Sequence, residues 1–135
     1  DITLENKADR RKTLECAYYT EPVLGVNRDT ARHIQAAHHS ETCLLLHNPY
    51  NTAVPCHMAL SGKSPLPVEA RMTTDRAAFL RGDWQTADID PTGDPCAALL
   101  LSLSLAPDQS VTIRFTLAWG APAESACRMA TDSLA

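Results

Sequence analysis

The residues of this chain that could perform chemistry are a group of acidic side chains and a set of dispersed histidines. Asp88, Asp90 and Asp94 fall in one short stretch that also holds two prolines and a glycine. Two carboxylates on either side of a sugar bond are the catalytic groups of glycosidases. Acidic residues in so turn-rich a segment more often cap or solvate turns. We therefore interpret these three aspartates as structural.

The histidines do not form a metal-binding pattern. They are His33, His38, His39, His47 and His57. His38 and His39 are adjacent, so on a strand they point to opposite faces and cannot bind one ion together. Cys43 and His47 are four residues apart, which suits a helix, but the segment between them is typical of a strand. We therefore expect neither a metal site nor any other cofactor.

Motifs for nucleophilic or phosphate chemistry are also missing from the sequence. There is no G-x-S-x-G elbow that would expose a serine nucleophile. The string Ser-Gly-Lys-Ser at residues 61–64 resembles the end of a phosphate-binding loop, but His57 stands where the upstream glycine is required. The residues themselves thus identify no catalytic group.

Composition narrows the class of protein. The chain has 135 residues and a mass of 14.7 kDa, the size of one domain. It carries 12 basic and 16 acidic residues, giving a net charge of −4 that disfavours nucleic acid as a partner. The longest apolar run, at residues 97–101, is far shorter than the roughly 20 residues of a membrane-spanning helix. The chain lacks an initial methionine and opens within a strand-like pattern, so we expect it to be a piece of a longer protein.

The cysteines predict a reducing compartment. There are five, at positions 16, 43, 56, 96 and 127. Their odd number, wide spacing and lack of a C-x-x-C pair argue against a zinc ribbon, a redox motif or a disulfide framework. Buried free thiols are the simplest account, and they predict a cytoplasmic protein.

Alternating apolar and polar residues predict strands. At residues 99–105 and 111–119 the odd positions are apolar, including Trp119, and the intervening turn at 106–110 predicts a β-hairpin or a meander corner. Residues 2–4 and 13–19 alternate in the same way around a polar turn at 6–10, which predicts a second hairpin. Shorter strands are expected at 33–37, 42–47, 57–61 and 68–72, separated by prolines.

Two helical segments accompany these strands. Residues 75–80 predict about one helical turn, with Thr74 or Asp75 as its N-cap and Phe79 and Leu80 anchoring it on the sheet. Residues 122–134 predict a longer helix that begins at Pro122. About eight short strands between turns indicate an all-β fold, an antiparallel β-sandwich with one short helix and a C-terminal helix.

Four strings carry a resemblance to a known family. They are Tyr-Tyr-Thr-Glu-Pro-Val-Leu-Gly at 18–25, Asn-Pro-Tyr-Asn at 48–51, Asp-Arg-Ala-Ala-Phe-Leu at 75–80 and Asp-Pro-Cys-Ala-Ala-Leu at 94–99. In this order they resemble the inverting glycoside phosphorylase family of cellobiose and chitobiose phosphorylases, formerly glycosyltransferase family 36, whose module also occurs in cyclic β-1,2-glucan synthases. The chain departs from the family at Pro22, where an aromatic is preferred, at Leu80-Arg81-Gly82 in place of Leu-Gly-Arg, and at Pro107-Asp108 in place of Pro-Gly.

The resemblance implies a position in a larger enzyme. Residues 1–121 would be the second half of an N-terminal, supersandwich-like β-sandwich, and residues 122–135 the start of a helical linker to an (α/α)6 barrel. The family's general acid lies in that barrel, so this piece would be non-catalytic. The parent would be a glycosyltransferase or glycoside phosphorylase acting on β-glucans or β-linked disaccharides. A soluble parent, a parent attached to the inner membrane, and a homodimer all remain open.

If this piece contacts sugar, we expect Asn48, Tyr50, Asp75 and Arg76 to do so. Tyr50 could stack on a pyranose face, and Asp75 and Arg76 could bind hydroxyls or phosphate. The structural alternative is that Asp75 and Arg76 fix the short helix to the sheet. Two other functions stay open: a free-standing carbohydrate-binding module, disfavoured by an aromatic content of only 5%, and a purely structural or dimerisation domain.

Overall fold

A computed structural model describes residues 1–51, 57–83, 89 and 94–132 of the chain. The strands are β1 (Ile2–Glu5), β2 (Lys12–Thr20), β3 (Gln35–Ser40), β4 (Cys43–His47), β5 (His57–Lys63), β6 (Glu69–Thr73), β7 (Ala97–Leu105) and β8 (Ser110–Gly120). The helices are α1 (Arg76–Arg81), α2 (Ala123–Asp132) and a 3-10 helix, Arg28–His33. This 3-10 helix occupies the beginning of the strand predicted at 33–37, which therefore starts two residues later.

The strands form two antiparallel sheets that face each other. The five-stranded sheet has the order β1-β8-β5-β4-β3, and the three-stranded sheet has the order β2-β7-β6. Leu60 of β5 and Leu99 and Leu101 of β7 are fully buried between them, and a second cluster holds Leu105 and Ile113. Aligned sheets whose inner faces interlock in this way form a sandwich. The predicted all-β sandwich with a short helix and a C-terminal helix is confirmed.

Both predicted hairpins are wrong, because the two strands of each lie in opposite sheets. β7 pairs with β2 and β6, whereas β8 pairs with β1 and β5. Accordingly Ile2 lies opposite Ile113, and Lys12 lies opposite Leu105. A period of two shows which face of a strand is buried but not which strand lies beside it. A connection that crosses between sheets therefore has the same sequence pattern as a hairpin.

Asn6 ties the two crossing connections together at one end of the sandwich. Its buried side-chain amide donates to the carbonyl oxygens of Arg10, at 2.9 Å, and Leu105, at 3.0 Å. Its backbone also bonds with Asp108 and Gln109. Asp108 has a φ of 56°, in the left-handed region that Asp tolerates better than most residues. The predicted polar turn at 6–10 is thus hydrogen-bonded to the connection between β7 and β8.

Helix α2 adds a third layer on the outer face of the five-stranded sheet. The outward-facing residues of β8 show where the helix packs. Thr112 and Arg114, in the first half of the strand, are exposed, whereas Ala118 and Gly120, at its end, are buried. A Cβ added to Gly120 would lie 2.8 Å from the backbone nitrogen of Ala126. Small residues on both surfaces therefore let the helix approach the strand closely.

The long connections meet at the opposite end of the sandwich from Asn6, which we call the loop end. It comprises residues 21–34, 48–51, 74–83 and 94–96 of the described chain. β2 ends beside the start of β7, with Thr20 opposite Ala97, and β6 ends there as well, with Thr73 opposite Ala98. Because loops held by a rigid scaffold are where binding residues concentrate, the loop end is the place to search for a site.

The described cysteines are unpaired and mostly buried. Cys43, Cys96 and Cys127 are buried and Cys16 is half-buried, so the predicted burial is confirmed for three of them. Cys56 lies outside the described residues. None of the described helices is long and apolar enough to cross a membrane.

Candidate functional site

Four charged side chains form a closed ring at the loop end, which we call the ion ring: Glu21, Arg28, Arg76 and Asp94. Arg76 Nε lies 2.7 Å from Glu21 Oε1, and Arg76 Nη1 lies 3.2 Å from Asp94 Oδ2. Arg28 Nη1 lies 2.9 Å from Glu21 Oε2, and Arg28 Nη2 also contacts Asp94. Each guanidinium bridges both carboxylates, so the ring is charge-neutral. Networked pairs of this kind hold geometry better than isolated surface pairs, and this ring joins three segments distant in sequence: the connection after β2, helix α1 and the residues before β7.

Tyr19 links the ion ring to helix α1. Its hydroxyl donates to Glu21, and its ring stacks on Phe79 with the ring centroids 4.4 Å apart. The hydrogen bonds from Tyr19 and Arg76 lower the pKa of Glu21 to about 2, so this carboxylate stays ionised. Phe79 thus anchors α1 to the three-stranded sheet as predicted, whereas Leu80, predicted to anchor it too, is exposed.

Two of the predicted sugar contacts, Asp75 and Arg76, are engaged in holding α1. Asp75 is the N-cap, and its Oδ1 accepts a hydrogen bond from the backbone N–H of Ala78 at 2.8 Å. At the other end of α1, Gly82 adopts a φ of 73° as the C-cap. These contacts match the structural alternative considered for Asp75 and Arg76. Their contact with sugar stays a prediction.

The other two predicted contacts, Asn48 and Tyr50, differ in exposure. Asn48 is 1% exposed, its Oδ1 accepts from the Tyr50 backbone N–H at 3.1 Å, and its Nδ2 donates to the Thr30 carbonyl at 3.4 Å. Its side chain therefore shapes the turn. Tyr50 is 77% exposed, with its ring centroid 4.7 Å from that of His33. Of the four predicted contacts, Tyr50 presents the largest open surface.

The 3-10 helix brings these parts together, because Arg28 at its start belongs to the ion ring and His33 at its end contacts Tyr50. Close packing around it depends on Gly25, where an added Cβ would lie 2.2 Å from Thr30 Oγ1. The structure thus gathers all four predicted residues at one end of the sandwich. The sequence analysis missed the ring itself. Glu21 belongs to the family-like string at 18–25, but no ion-pair partner was predicted for it, and Arg28 belongs to none of the four strings.

The strings that supply Glu21, Arg76, Asp94 and the Asn48 turn are those on which the resemblance rested. A protein-family model, glycosyl hydrolase 94, supersandwich domain, matches residues 1–133. The chain belongs to this family. Comparisons with curated proteins and with solved structures gave no significant match. The chain is thus a supersandwich domain, a non-catalytic part of a glycosyl hydrolase 94 family member.

The two carboxylates of the ion ring in this supersandwich domain are both held in ion pairs. The pKa of Glu21 is lowered to about 2, so this carboxyl group is not poised to donate a proton near neutral pH, and Asp94 is paired with two arginines. Asp88 and Asp90 lie outside the described residues. Across the described part of the chain, no group of three or more His, Cys, Asp or Glu side chains is arranged to hold a metal ion.

Exposed apolar side chains concentrate near the loop end of the supersandwich domain. Six large hydrophobic side chains are exposed among the described residues, and four of them lie at or beside this end: Val26, Tyr50, Leu80 and Trp119. Trp119 lies opposite Met58 on the inner face of the sheet, as its apolar position predicted, but it is 50% exposed. Most of the exposed large apolar side chains of the described chain therefore lie at or beside the end that carries the ion ring.

Proposed function

We propose that this supersandwich domain is the scaffold of an enzyme that transfers or phosphorolyses β-linked glucans or disaccharides, as cyclic β-1,2-glucan synthases and cellobiose phosphorylases do. In an inverting phosphorolysis an acid protonates the leaving glycosidic oxygen while phosphate attacks the anomeric carbon from the opposite face. That acid would come from an (α/α)6 barrel. Residues 1–121 would supply the sandwich, and residues 122–135 would begin the linker to the barrel.

The observation that carries this proposal is the combination found at the loop end. The ion ring joins the connection after β2 to α1 and to the residues before β7, and Val26, Tyr50 and Leu80 are exposed at the same end. Apolar side chains held on a rigid frame lose little conformational entropy when they are covered, which favours docking against another folded surface. Tyr50 adds a flat apolar ring that could stack on a sugar. The loop end would therefore face the barrel and border the sugar site.

The test uses the full-length protein that carries these residues. We expect phosphate-dependent release of glucose 1-phosphate from cellobiose, laminaribiose or sophorose, or transfer of glucose to a β-glucan acceptor. Val26→Ser and Leu80→Ser should each lower kcat/KM severalfold, because they weaken docking at the loop end. Ile2→Ser is the matched control, because Ile2 is an exposed apolar residue of β1, away from the loop end. Absence of both activities, or an equal loss in the control, would contradict the proposal.

Direct sugar contact is a finer part of the same proposal. Asn48, Tyr50, Asp75 and Arg76 are proposed contacts, with Tyr50 the most exposed. Tyr50→Ala should raise KM for the sugar more than it lowers kcat, because stacking acts on the bound ground state as well as on the transition state. An unchanged KM would remove Tyr50 from the sugar site and leave the scaffold role intact.

A free-standing carbohydrate-binding module is the second candidate, favoured by the exposure of Tyr50 and Trp119 at the same end. Isothermal titration of the 135-residue chain with laminari-, sophoro- and cello-oligosaccharides separates the two. Binding that Tyr50→Ala or Trp119→Ala abolishes would favour the module, and no binding would favour the scaffold. Sedimentation tests the dimerising alternative, which a strictly monomeric chain would contradict.

A further inference from the structure

Helix α2 and the sheet beneath it share a buried layer of small side chains. This layer, which we call the α2 interface, contains Cys43, Ala59, Ala118, Ala126, Cys127 and Ala130. The two cysteines come from different elements, since Cys43 begins β4 and Cys127 lies in the middle of α2. Because the surrounding residues are small, the helix lies close enough to the strands for two short side chains to meet.

The thiols of Cys43 and Cys127 are in contact with each other. Their side chains are hydrogen-bonded to one another, and the Cys43 thiol also bonds with the hydroxyl of Ser61 opposite it on β5. Both cysteines are free and buried. A disulfide requires Cβ atoms about 3.5–4.5 Å apart, and both cysteines lie in one buried cluster of small side chains where the helix packs on the strands.

A surface cleft gives a small reagent access to this pair of cysteines. A cleft of about 600 Å³ lies between β3 and α2, and His39, Ser125, Cys127, Arg128 and Thr131 are among the residues that line it. Cys127 is 3% exposed, so its side chain reaches the wall of the cleft, whereas Cys43 behind it is fully buried. A reagent in the cleft therefore meets Cys127 first and cannot reach Cys43 directly.

We propose that Cys43 and Cys127 form a reversible disulfide that locks α2 to the sheet when a hydroperoxide enters the cleft. The Cys127 thiolate attacks one peroxide oxygen, the O–O bond breaks, and hydroxide leaves, giving a sulfenic acid. The Cys43 thiolate then attacks the Cys127 sulfur and displaces the second hydroxide. The two thiol protons convert both hydroxides to water, so two thiols and one hydrogen peroxide give one disulfide and two waters. A small thiol restores the reduced form by exchange.

The surroundings make this a slow response to sustained oxidation. Burial raises the pKa of both thiols, that of Cys43 to about 11, so little thiolate is present at neutral pH. Attack by each thiolate is therefore infrequent. Once formed, the bond would link β4 to a helix that is otherwise held by contacts between small side chains, and this region should gain stability.

The test treats the purified protein with hydrogen peroxide in mildly alkaline buffer, alkylates the remaining thiols and maps tryptic peptides by mass spectrometry. Cleavage after Arg32, Lys63, Arg114 and Arg128 releases Cys43 in peptide 33–63 and Cys127 in peptide 115–128. We expect these two peptides to be linked and to separate on reduction. Cys56 shares the first peptide, so Cys56→Ser is the matched control and should keep the link, whereas Cys43→Ser and Cys127→Ser should lose it.

Thermal denaturation of the same wild-type sample gives an independent readout. The oxidised protein should melt higher than the reduced protein by roughly 5 °C or more, since a disulfide across so long a loop typically stabilises strongly. The reductant should reverse this shift. The proposal is wrong if oxidation yields only intermolecular dimers, only sulfinic acid, or a link that persists in Cys43→Ser. A linked protein that melts no higher would equally refute the locking role.

Discussion

Substitution of Asp75 separates the two roles considered for this residue, sugar contact and helix cap. Its Oδ1 accepts a hydrogen bond from the Ala78 backbone at 2.8 Å, which satisfies one of the free N–H groups at the start of α1. Loss of such a cap typically costs about 1 kcal/mol. For Asp75→Ala this corresponds to a roughly fivefold faster hydrogen exchange of the α1 amides. The global melting temperature should fall by a few degrees at most, about 3–5 °C.

Asp75→Asn is the matched control, because asparagine caps a helix as well as aspartate does but carries no charge. Its α1 amides should exchange at the wild-type rate, as measured by mass spectrometry or NMR. Exchange in Asp75→Ala that matches the wild type would refute the capping argument, as would Asp75→Asn behaving like Asp75→Ala. If Asp75→Asn is stable yet the full-length enzyme loses activity, the carboxylate also contacts the substrate.

Three further predictions concern other parts of the fold. Gly120→Ala places a methyl group against the backbone of α2, so we expect the free energy of unfolding to fall by about 1–3 kcal/mol in urea titrations. Gly62→Ala, whose added carbon meets side-chain atoms of Leu99, Leu101 and Phe115 rather than backbone, should lose less. The pKa of Glu21 is lowered to about 2 from an ordinary value of 4.5, so its contribution to stability is present above pH 4.5 and is lost as the pH falls towards 2. Urea titrations across this range should therefore show a steeper acid loss for the wild type than for Glu21→Gln, and equal slopes would contradict the role of the ion ring. Burial, with the nearby His47, lowers the pKa of His57 below 6.5, so the folded protein resists protonation and loses stability as the pH falls below 6.5. His57→Gln should flatten this part of the pH profile, and an unchanged profile would show that His57 does not cause it.

The fold could be predicted from the sequence as far as single strands and helices, but not in their pairing. Alternation located β7 and β8, and the Asp75 cap located α1. The partner of each strand depends on the direction in which the chain leaves each turn. This direction is set by long-range contacts such as those of Asn6 and by the left-handed φ of Asp108. These contacts join residues about 100 positions apart, which periodicity within a short window cannot report.

Some residues of the loop end could be predicted from the sequence, but their contacts could not. Family-like strings led to Tyr50 and Arg76, and both lie at the loop end. Nothing in the sequence indicates that Arg76 meets Glu21, because a charge on a short helix does not reveal its partner 55 residues away. The exposure of Trp119 was equally hidden, since alternation gives the side of a sheet but not how far the facing sheet extends over it.

The pairing of the first strands with the last sets the order in which this domain can assemble during translation. Lys12 of β2 meets Leu105 of β7, 93 positions later, and Ile2 of β1 meets Ile113 of β8. Strands β3, β4 and β5 are neighbours in sequence and in the sheet, so they can pair while the ribosome is still at work. β1 and β2 remain unpaired until β7 and β8 have emerged from the ribosome. A nascent chain halted before β7 would therefore hold a local meander and three unpaired strands, β1, β2 and β6, the state in which this protein is most exposed to aggregation.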